Sequence, residues 1–336
     1  MNGASSAKRS AKVFLYDEMR FHSEEAPVEE AIGQIGRSGV IWISIDGGLD
    51  CELMSLIGAK VGIDPGEMSS VIAFSRGRAR MEDLGDTAFL VWSTANRTDG
   101  SMDPQPSYYL LGPNYMISVQ EGEDHYAEVV DRLRNEGSRL RKSGPGFLLY
   151  SILNATAEEF FDRMEELSDS IGELEDLIIS DSNHGVLVEI GRMRGRIGFM
   201  WRTIWPLREA SASLAERPTS VMGESDRAYF SELFSSFDLL LHEIDSLDQI
   251  IPQLIDLYES STTRQLNQIV KVLTLFSVLF APLTLMVGIY SMNFENIPGQ
   301  DHPLGYSFLM FFMLIVSALM LLYFYRKGWL GSRERG

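Results

Sequence analysis

Two long apolar stretches near the C-terminus, residues 272–289 and 306–325, dominate the hydropathy pattern. Each is close to the roughly 20 residues that a helix needs to cross a hydrocarbon core about 30 Å thick, and neither contains a charged residue. A short loop, residues 291–305, joins them and contains no Lys or Arg. The pattern therefore predicts two transmembrane helices.

Basic residues flank this pair of spans on its outer sides only. They are Arg264 and Lys271 before the first span, and Arg326, Lys327, Arg333 and Arg335 after the second. By the positive-inside bias, we expect a multi-pass protein of the cytoplasmic membrane with both termini in the cytoplasm and the loop outside. Because residues 1–6 contain no apolar run, we expect no cleavable signal, so the region before the first span stays inside.

Residues 1–145 alternate between strand-like and helix-like patterns. Strands are predicted at 13–16, 39–45, 70–74, 88–92, 107–111 and 115–119, and helices at 28–37, 52–61 and 124–136. A polar loop is expected at 96–107. This mixture predicts an α+β cytoplasmic domain, similar to an α/β/α sandwich.

From residue 146 onward the periodicity is helical. Residues 155–180 are rich in Asp and Glu, and residues 186–214 carry five arginines, so we expect a cytoplasmic helical hairpin, 146–222, with acidic and basic faces opposed. Periodicity resumes near Glu224 and continues into the first span. A single stalk helix, 223–290, would be about 100 Å long. Pro252 and Pro282 should bend it, and a break into two helices at Pro252 is the alternative.

Composition narrows the function classes. The formal net charge of −18 argues against nucleic acid as a partner, because a polyanion would be repelled. The single cysteine, Cys51, excludes an internal disulfide and fits a reducing compartment. The chain lacks a phosphate-binding loop, a zinc-protease helix motif and a nucleophile elbow, so we expect no enzyme.

Two spans per chain cannot enclose a hydrated path, so transport would require a homo-oligomer around an axis. The first span offers a face of mostly small or weakly polar residues at intervals of three and four. Its members are Asn267, Val270, Thr274, Ser277, Ala281, Thr284 and Gly288. The alternative reading is a helix-packing seam. Asn293, just beyond this span, would present carbonyl oxygens suited to a hydrated divalent cation.

The segment Tyr290-Ser291-Met292-Asn293-Phe294 resembles the Tyr-Gly-Met-Asn-Phe signature of the CorA family of divalent metal cation (magnesium, cobalt, zinc) transporters. The resemblance extends through residues 267–274 and 327–330, and more weakly through 205–209 and 80–86. It implies a funnel-shaped homopentamer with one long pore-lining helix per subunit. The final segments would be an external selectivity loop, 291–305, a second transmembrane helix, 306–325, and a basic cytoplasmic tail, 326–336.

The resemblance also assigns roles to residues of this chain. The selectivity filter would be Ser291, Met292 and Asn293, and the regulatory metal ligand on the stalk would be Glu232, with Asn293 as the other metal contact. The conduit would be lined by Asp256, Asn267, Val270, Leu273, Ser277, Ala281, Thr284 and Gly288. Asp83, Asp86 and residues 121–125 are candidate partners of Glu232.

The implied function is divalent cation transport through a homo-oligomeric pore in the lipid bilayer, of the Mg²⁺/Co²⁺ type, with gating by cytoplasmic metal. No resident cofactor is expected; Mg²⁺, Co²⁺, Ni²⁺ or Zn²⁺ would be cargo or regulator. Ser291 departs from the family glycine, and residues 296–305 are reminiscent of the zinc-transporting branch. A zinc-type transporter, with or without proton coupling, and a membrane-anchored metal sensor without flux therefore remain alternatives.

Overall fold

The computed structural model describes residues 9–75, 79–95, 104–120, 126–180, 185–216, 221–224, 226–292 and 303–329. The strands are β1 Ser10–Tyr16, β2 Phe21–Pro27, β3 Val40–Asp46, β4 Arg80–Asp83, β5 Ala88–Ala95, β6 Pro104–Leu111 and β7 Tyr115–Gln120. The helices are α1 Val28–Gly33, α2 Cys51–Val61, α3 Pro65–Ser75, α4 Ala127–Arg134, α5 Pro145–Ser180, α6 Gly185–Glu216, α7 Asp226–Tyr290 and α8 Gly305–Arg326, with a 3₁₀ turn at Arg139–Lys142.

The strands form one sheet in the order β2-β1-β3-β7-β6-β5-β4, in which only β3 and β7 pair in parallel. Successive side chains of β3 point to opposite faces. Ile41, Ile43 and Ile45 join the core formed with α1, α2 and α3. Trp42 packs on the other face against Phe14 and Tyr126, with ring centroids 4.7 and 5.3 Å away. Both faces are covered, which confirms the α+β domain.

Residues 70–74, predicted as a strand, belong to α3. The segment Val71-Ile72-Ala73-Phe74 fits either period, but the preceding turn decides for the helix. The Asp64 side chain accepts a hydrogen bond from Gly66 N at 3.0 Å, and Pro65 occupies the first helical position, where its missing N–H costs nothing.

Two strands were missing from the sequence prediction. β2 is mostly exposed and polar, and β4 has four residues; both lie at sheet edges, where no apolar alternation is required. Other bounds differ too: α1 ends at Gly33, α5 already starts at Pro145, and β6 starts at Pro104, inside the predicted loop. Residues 96–103 and 121–125 lie outside the described residues.

Buried apolar stripes at helical spacing run along α5, α6 and the first part of α7. Arg208 of α6 pairs with Asp238 of α7 at 2.6 Å, and Arg192 pairs with Glu189 in its own helix. The Arg208–Asp238 salt bridge therefore joins α6 to α7, whereas the sequence predicted pairing of α6 with α5.

The chain divides into two compact units, one of residues 1–176 and 184–254, the other of 177–183 and 255–336. Helix α7 is unbroken over its 65 residues, including Pro252 and Pro282, so the alternative of two helices is wrong and the long helix is confirmed. Helices α7 and α8 are each long and apolar enough to cross a membrane, and their most apolar windows are 0% and 6% buried. A core helix of a soluble protein would be mostly buried there.

Candidate functional site

The apolar part of α7 has two sides of different exposure. The predicted conduit positions are all exposed: Asn267, Val270, Leu273, Ser277, Ala281, Thr284 and Gly288. The half-buried positions are Lys271, Thr274, Leu275, Leu279, Pro282, Leu283 and Met286. At about 100° per residue, most of the half-buried set lies on the side of the helix opposite the exposed set. Thr274, which the sequence placed in the seam, sits at the border between them.

Helix α8 has its own half-buried stripe at the same spacing: Leu309, Met313, Val316, Ser317, Met320 and Phe324, the last of them fully buried. At the base of the helices, Lys271 Nζ donates a hydrogen bond to Gly328 O at 3.4 Å. The Phe324 ring stacks on Trp329 at 5.5 Å. Each helix thus turns one side toward the rest of this unit, and the conduit positions lie on the side of α7 that the described residues leave exposed.

Three hydroxyl groups, in the apolar part of α7 and just beyond its end, donate hydrogen bonds to carbonyl groups of the same helix. Thr274 Oγ1 donates to Val270 O at 2.7 Å, Thr284 Oγ1 to Phe280 O at 2.9 Å, and Ser291 Oγ to Gly288 O at 3.0 Å. Each of these hydroxyl groups donates its proton to a backbone carbonyl, so the lone pairs of the hydroxyl oxygen remain available as acceptors. Thr284, within the exposed set, can therefore accept hydrogen bonds from the water shell of a cation.

The predicted filter begins where α7 ends. Ser291 N donates to Val287 O at 3.0 Å and Met292 N to Ile289 O at 3.3 Å, so both residues continue the last turn. Met292 is 53% exposed. Asn293 lies outside the described residues. At the other end, Asp256 is also exposed on α7, about 17 Å before Asn267 at 1.5 Å per residue.

Glu232 is exposed on the first part of α7, but its carboxylate has a partner that the sequence did not reveal. The Tyr150 hydroxyl of α5 shares a hydrogen bond with it. Burial, followed by the nearby Glu232 charge, raises the pKa of Tyr150 to about 12, so the phenol is neutral at physiological pH and donates to Glu232. The Tyr150 ring is fixed against Tyr229 and Phe230, at 5.2 and 6.3 Å.

A carboxylate that accepts one hydrogen bond still has lone pairs for a cation. Among the described residues, however, no group of three or more His, Cys, Asp or Glu could hold a metal ion. Asp83 and Asp86 are exposed beside the β4–β5 turn, and residues 121–125 lie outside the described part of the chain. A metal site at Glu232 would therefore need further ligands, such as those of another copy.

The comparisons with known proteins agree with this architecture. The family model described as "CorA-like Mg2+ transporter protein" matches residues 37–326. A cobalt/magnesium transport protein CorA from Thermotoga maritima is 26% identical, over 86% of this chain and 83% of the relative. A zinc transport protein ZntB from Photorhabdus laumondii is 23% identical, over 73% of each chain.

Structural similarity covers nearly the whole chain. A solved structure of the CorA magnesium transporter from Methanocaldococcus jannaschii has a TM-score of 0.74 and 20% identity, and the match covers 95% of this chain and 98% of that one. At 20% identity this match shows a shared fold only. Membership of a family is shown by the family model, which matches most of the sequence. This chain belongs to the CorA family of divalent metal transporters.

Proposed function

We propose that this protein passes hydrated divalent metal cations across the cytoplasmic membrane through a pore formed by several identical chains, five in the arrangement that we favour. The observation that carries the proposal is the uncovered side of α7, Val270 to Gly288, which faces away from the half-buried side of the same helix. Copies arranged around an axis would cover that side and enclose a narrow, weakly polar path.

Each segment of the chain would have its own place in the transporter. Residues 1–145 and 146–222 form the cytoplasmic domain, 223–290 the stalk and first span, 291–305 the external loop, 306–325 the second span and 326–336 a cytoplasmic tail. No resident cofactor is needed, since divalent ions are the cargo and the regulator. The membrane potential would drive entry, with about 4.6 kcal/mol per 100 mV for a divalent ion.

Selectivity would be set outside the membrane by Ser291, Met292 and Asn293. Mg²⁺ releases its water reluctantly, so a ring of Asn293 amide oxygens would hold the ion with its water shell. We favour the Mg²⁺/Co²⁺ type because a relative named as a cobalt/magnesium transport protein matches over 86% of this chain at 26% identity. The relatives named as zinc transport proteins are 23–24% identical over 73–79% of this chain, which keeps Zn²⁺ as the second candidate cargo.

The test is ion uptake into liposomes that contain the purified protein and an indicator dye. Mg²⁺, Co²⁺, Ni²⁺ and Zn²⁺ are compared with and without an imposed potential, for the natural chain and for Asn293→Ala. We expect potential-driven flux that the substitution abolishes, with the oligomer preserved on a sizing column. Absence of flux from intact oligomers would instead favour a membrane-anchored metal sensor.

A further inference from the structure

Helix α6 carries an aromatic and cationic surface that the described part of the chain leaves partly exposed. Trp201 and Trp205 are 42% and 41% exposed, and their rings stack at 6.3 Å with an angle of 18°. Arg194 and Arg202 are exposed on the same helix. We call these four residues the tryptophan face.

The two arginines belong to this surface by geometry as well as by sequence. Arg194 precedes Trp201 by two helical turns and so lies on the same side of α6. The Arg202 guanidinium lies back over Gly198, where a Cβ atom would meet Nη1 at 3.2 Å. Within the part of the chain that the structure describes, neither guanidinium has an ion pair. Exposed tryptophans flanked by free arginines have the composition of an interface core, where both residue types are enriched.

A groove of opposite charge lies between α5 and α7. It has a volume of about 490 Å³, and its apolar lining comes from Phe161, Met164 and Leu247. Four carboxylates surround it: Asp162, Glu165 and Asp169 of α5 and Glu243 of α7. Among the described residues, none of the four has a cationic partner. This acidic groove therefore combines an apolar floor with uncompensated negative charge.

We propose that the tryptophan face of one copy docks in the acidic groove of a neighbouring copy. The proposal rests on the homo-oligomer proposed above, because a single chain carries both complementary surfaces and leaves the tryptophan face exposed. Such a contact joins two different surfaces, and repeated contacts of that kind generate a closed ring when the rotation closes. Indole rings would fill the apolar floor, while Arg194 and Arg202 would meet the carboxylates at its rim.

Thiol cross-linking between differently tagged chains tests this contact. In a Cys51→Ser background, a chain with Trp205→Cys is co-expressed with a chain that carries Glu165→Cys, and the purified oligomer is treated with a short bifunctional thiol reagent. The matched control pairs the Glu165→Cys chain with a chain that has only the native, exposed Cys51. We expect at least about tenfold more mixed-tag dimer than in the control, because docking holds the two thiols at a high effective concentration.

A charge swap provides the second measurement. Arg194→Glu with Arg202→Glu should weaken assembly by about tenfold, and adding Asp162→Lys with Asp169→Lys should restore it, because opposite charges then meet again. Intact, conducting oligomers without mixed-tag dimer and without rescue would overturn the docking contact and leave transport standing. A natural chain that neither assembles nor conducts would overturn the proposed function as well.

Discussion

The two parts of α7 differ in what surrounds them, although they belong to one continuous helix. In the first unit, Phe230, Leu233 and Phe237 are fully buried by other parts of the same chain. In the second, Val270, Leu273 and Phe280 are 58%, 65% and 53% exposed. Apolar side chains of the first part are placed by intrachain packing, and those of the second part require lipid or further copies. The same helical pattern thus buries apolar side chains within the chain in one region and leaves them exposed in the other.

The first prediction compares one phenylalanine substitution in each part of α7. Phe237→Ala removes a ring that lies 5.7 Å from Trp92, so we expect a loss of about 3–5 kcal/mol in the free energy of unfolding. Phe280→Ala removes an exposed ring and should cost less than about 1 kcal/mol. Denaturant unfolding in detergent, followed by tryptophan fluorescence, measures both. An equal cost would mean that other copies bury Phe280.

The second prediction concerns Gly288, on the uncovered side of α7. A Cβ atom there meets nothing within 4 Å among the described residues, and Leu is a better helix former than Gly, so Gly288→Leu should fold normally. If several copies place this residue around a pore, the added side chains should reduce ion flux more than about tenfold.

Ala318→Leu is the matched control for Gly288→Leu, since Ala318 is an exposed small residue of the other span, α8. Liposome uptake should be almost unchanged in this variant. Similar losses in both variants would show that the effect comes from general perturbation of the spans, and the uncovered side would then be a packing seam.

The comparison also explains which features the sequence could predict. The stalk helix was predicted at 223–290 and α7 runs from Asp226 to Tyr290, because helical periodicity is sustained there without a stop signal. The sequence left a break at Pro252 as the alternative, and the structure shows none. Residues 70–74 were assigned to the wrong class, because a short apolar run fits either period. The polar edge strand β2 carries no hydrophobic signal, since the sheet buries little of it.

The same distinction between local patterns and long-range contacts applies to the site residues. The exposed stripe on α7 could be read from spacing, since it is local to one helix. Tyr150 could not be identified as the partner of Glu232, because the two residues are distant in sequence and only the packing of α5 on α7 brings them together. Ligands contributed by another copy depend on assembly, so one chain's sequence does not reveal them.

The third prediction concerns gating in the first unit. If Glu232 binds a regulatory cation, Glu232→Ala should raise the concentration of cytoplasmic divalent ion needed for half-inhibition about tenfold, which corresponds to 1.4 kcal/mol, without changing maximal flux. Tyr150→Phe keeps the carboxylate and removes the hydrogen bond that orients it, so its effect should be smaller. Uptake measured against internal Mg²⁺ compares them. Unchanged inhibition in both variants would leave Glu232 as a solvated side chain.

The smallest effect is expected at Tyr109, a fully buried residue of β6 whose hydroxyl lies 3.1 Å from that of Tyr126. Tyr109→Phe removes this hydrogen bond and should cost about 0.5–1.5 kcal/mol at pH 7. Burial raises the pKa of Tyr109 to about 12 from an ordinary value of 10. The folded state therefore disfavours the phenolate, and the contribution of Tyr109 to stability is complete below pH 10 and is lost as the pH rises toward 12.

Denaturant unfolding across this alkaline range should show that the difference in the free energy of unfolding between the natural chain and Tyr109→Phe becomes smaller above pH 10. In the natural chain the folded state keeps this phenol protonated while the unfolded state ionises it, and Tyr109→Phe has no phenol at this position. Tyr126→Phe is the matched control: it breaks the same hydrogen bond but leaves Tyr109 to titrate, so its stability should keep falling with pH in parallel with the natural chain. If Tyr109→Phe also stays parallel, the titration of this buried residue contributes nothing to alkaline unfolding, and the sheet core is more open to water than its burial indicates.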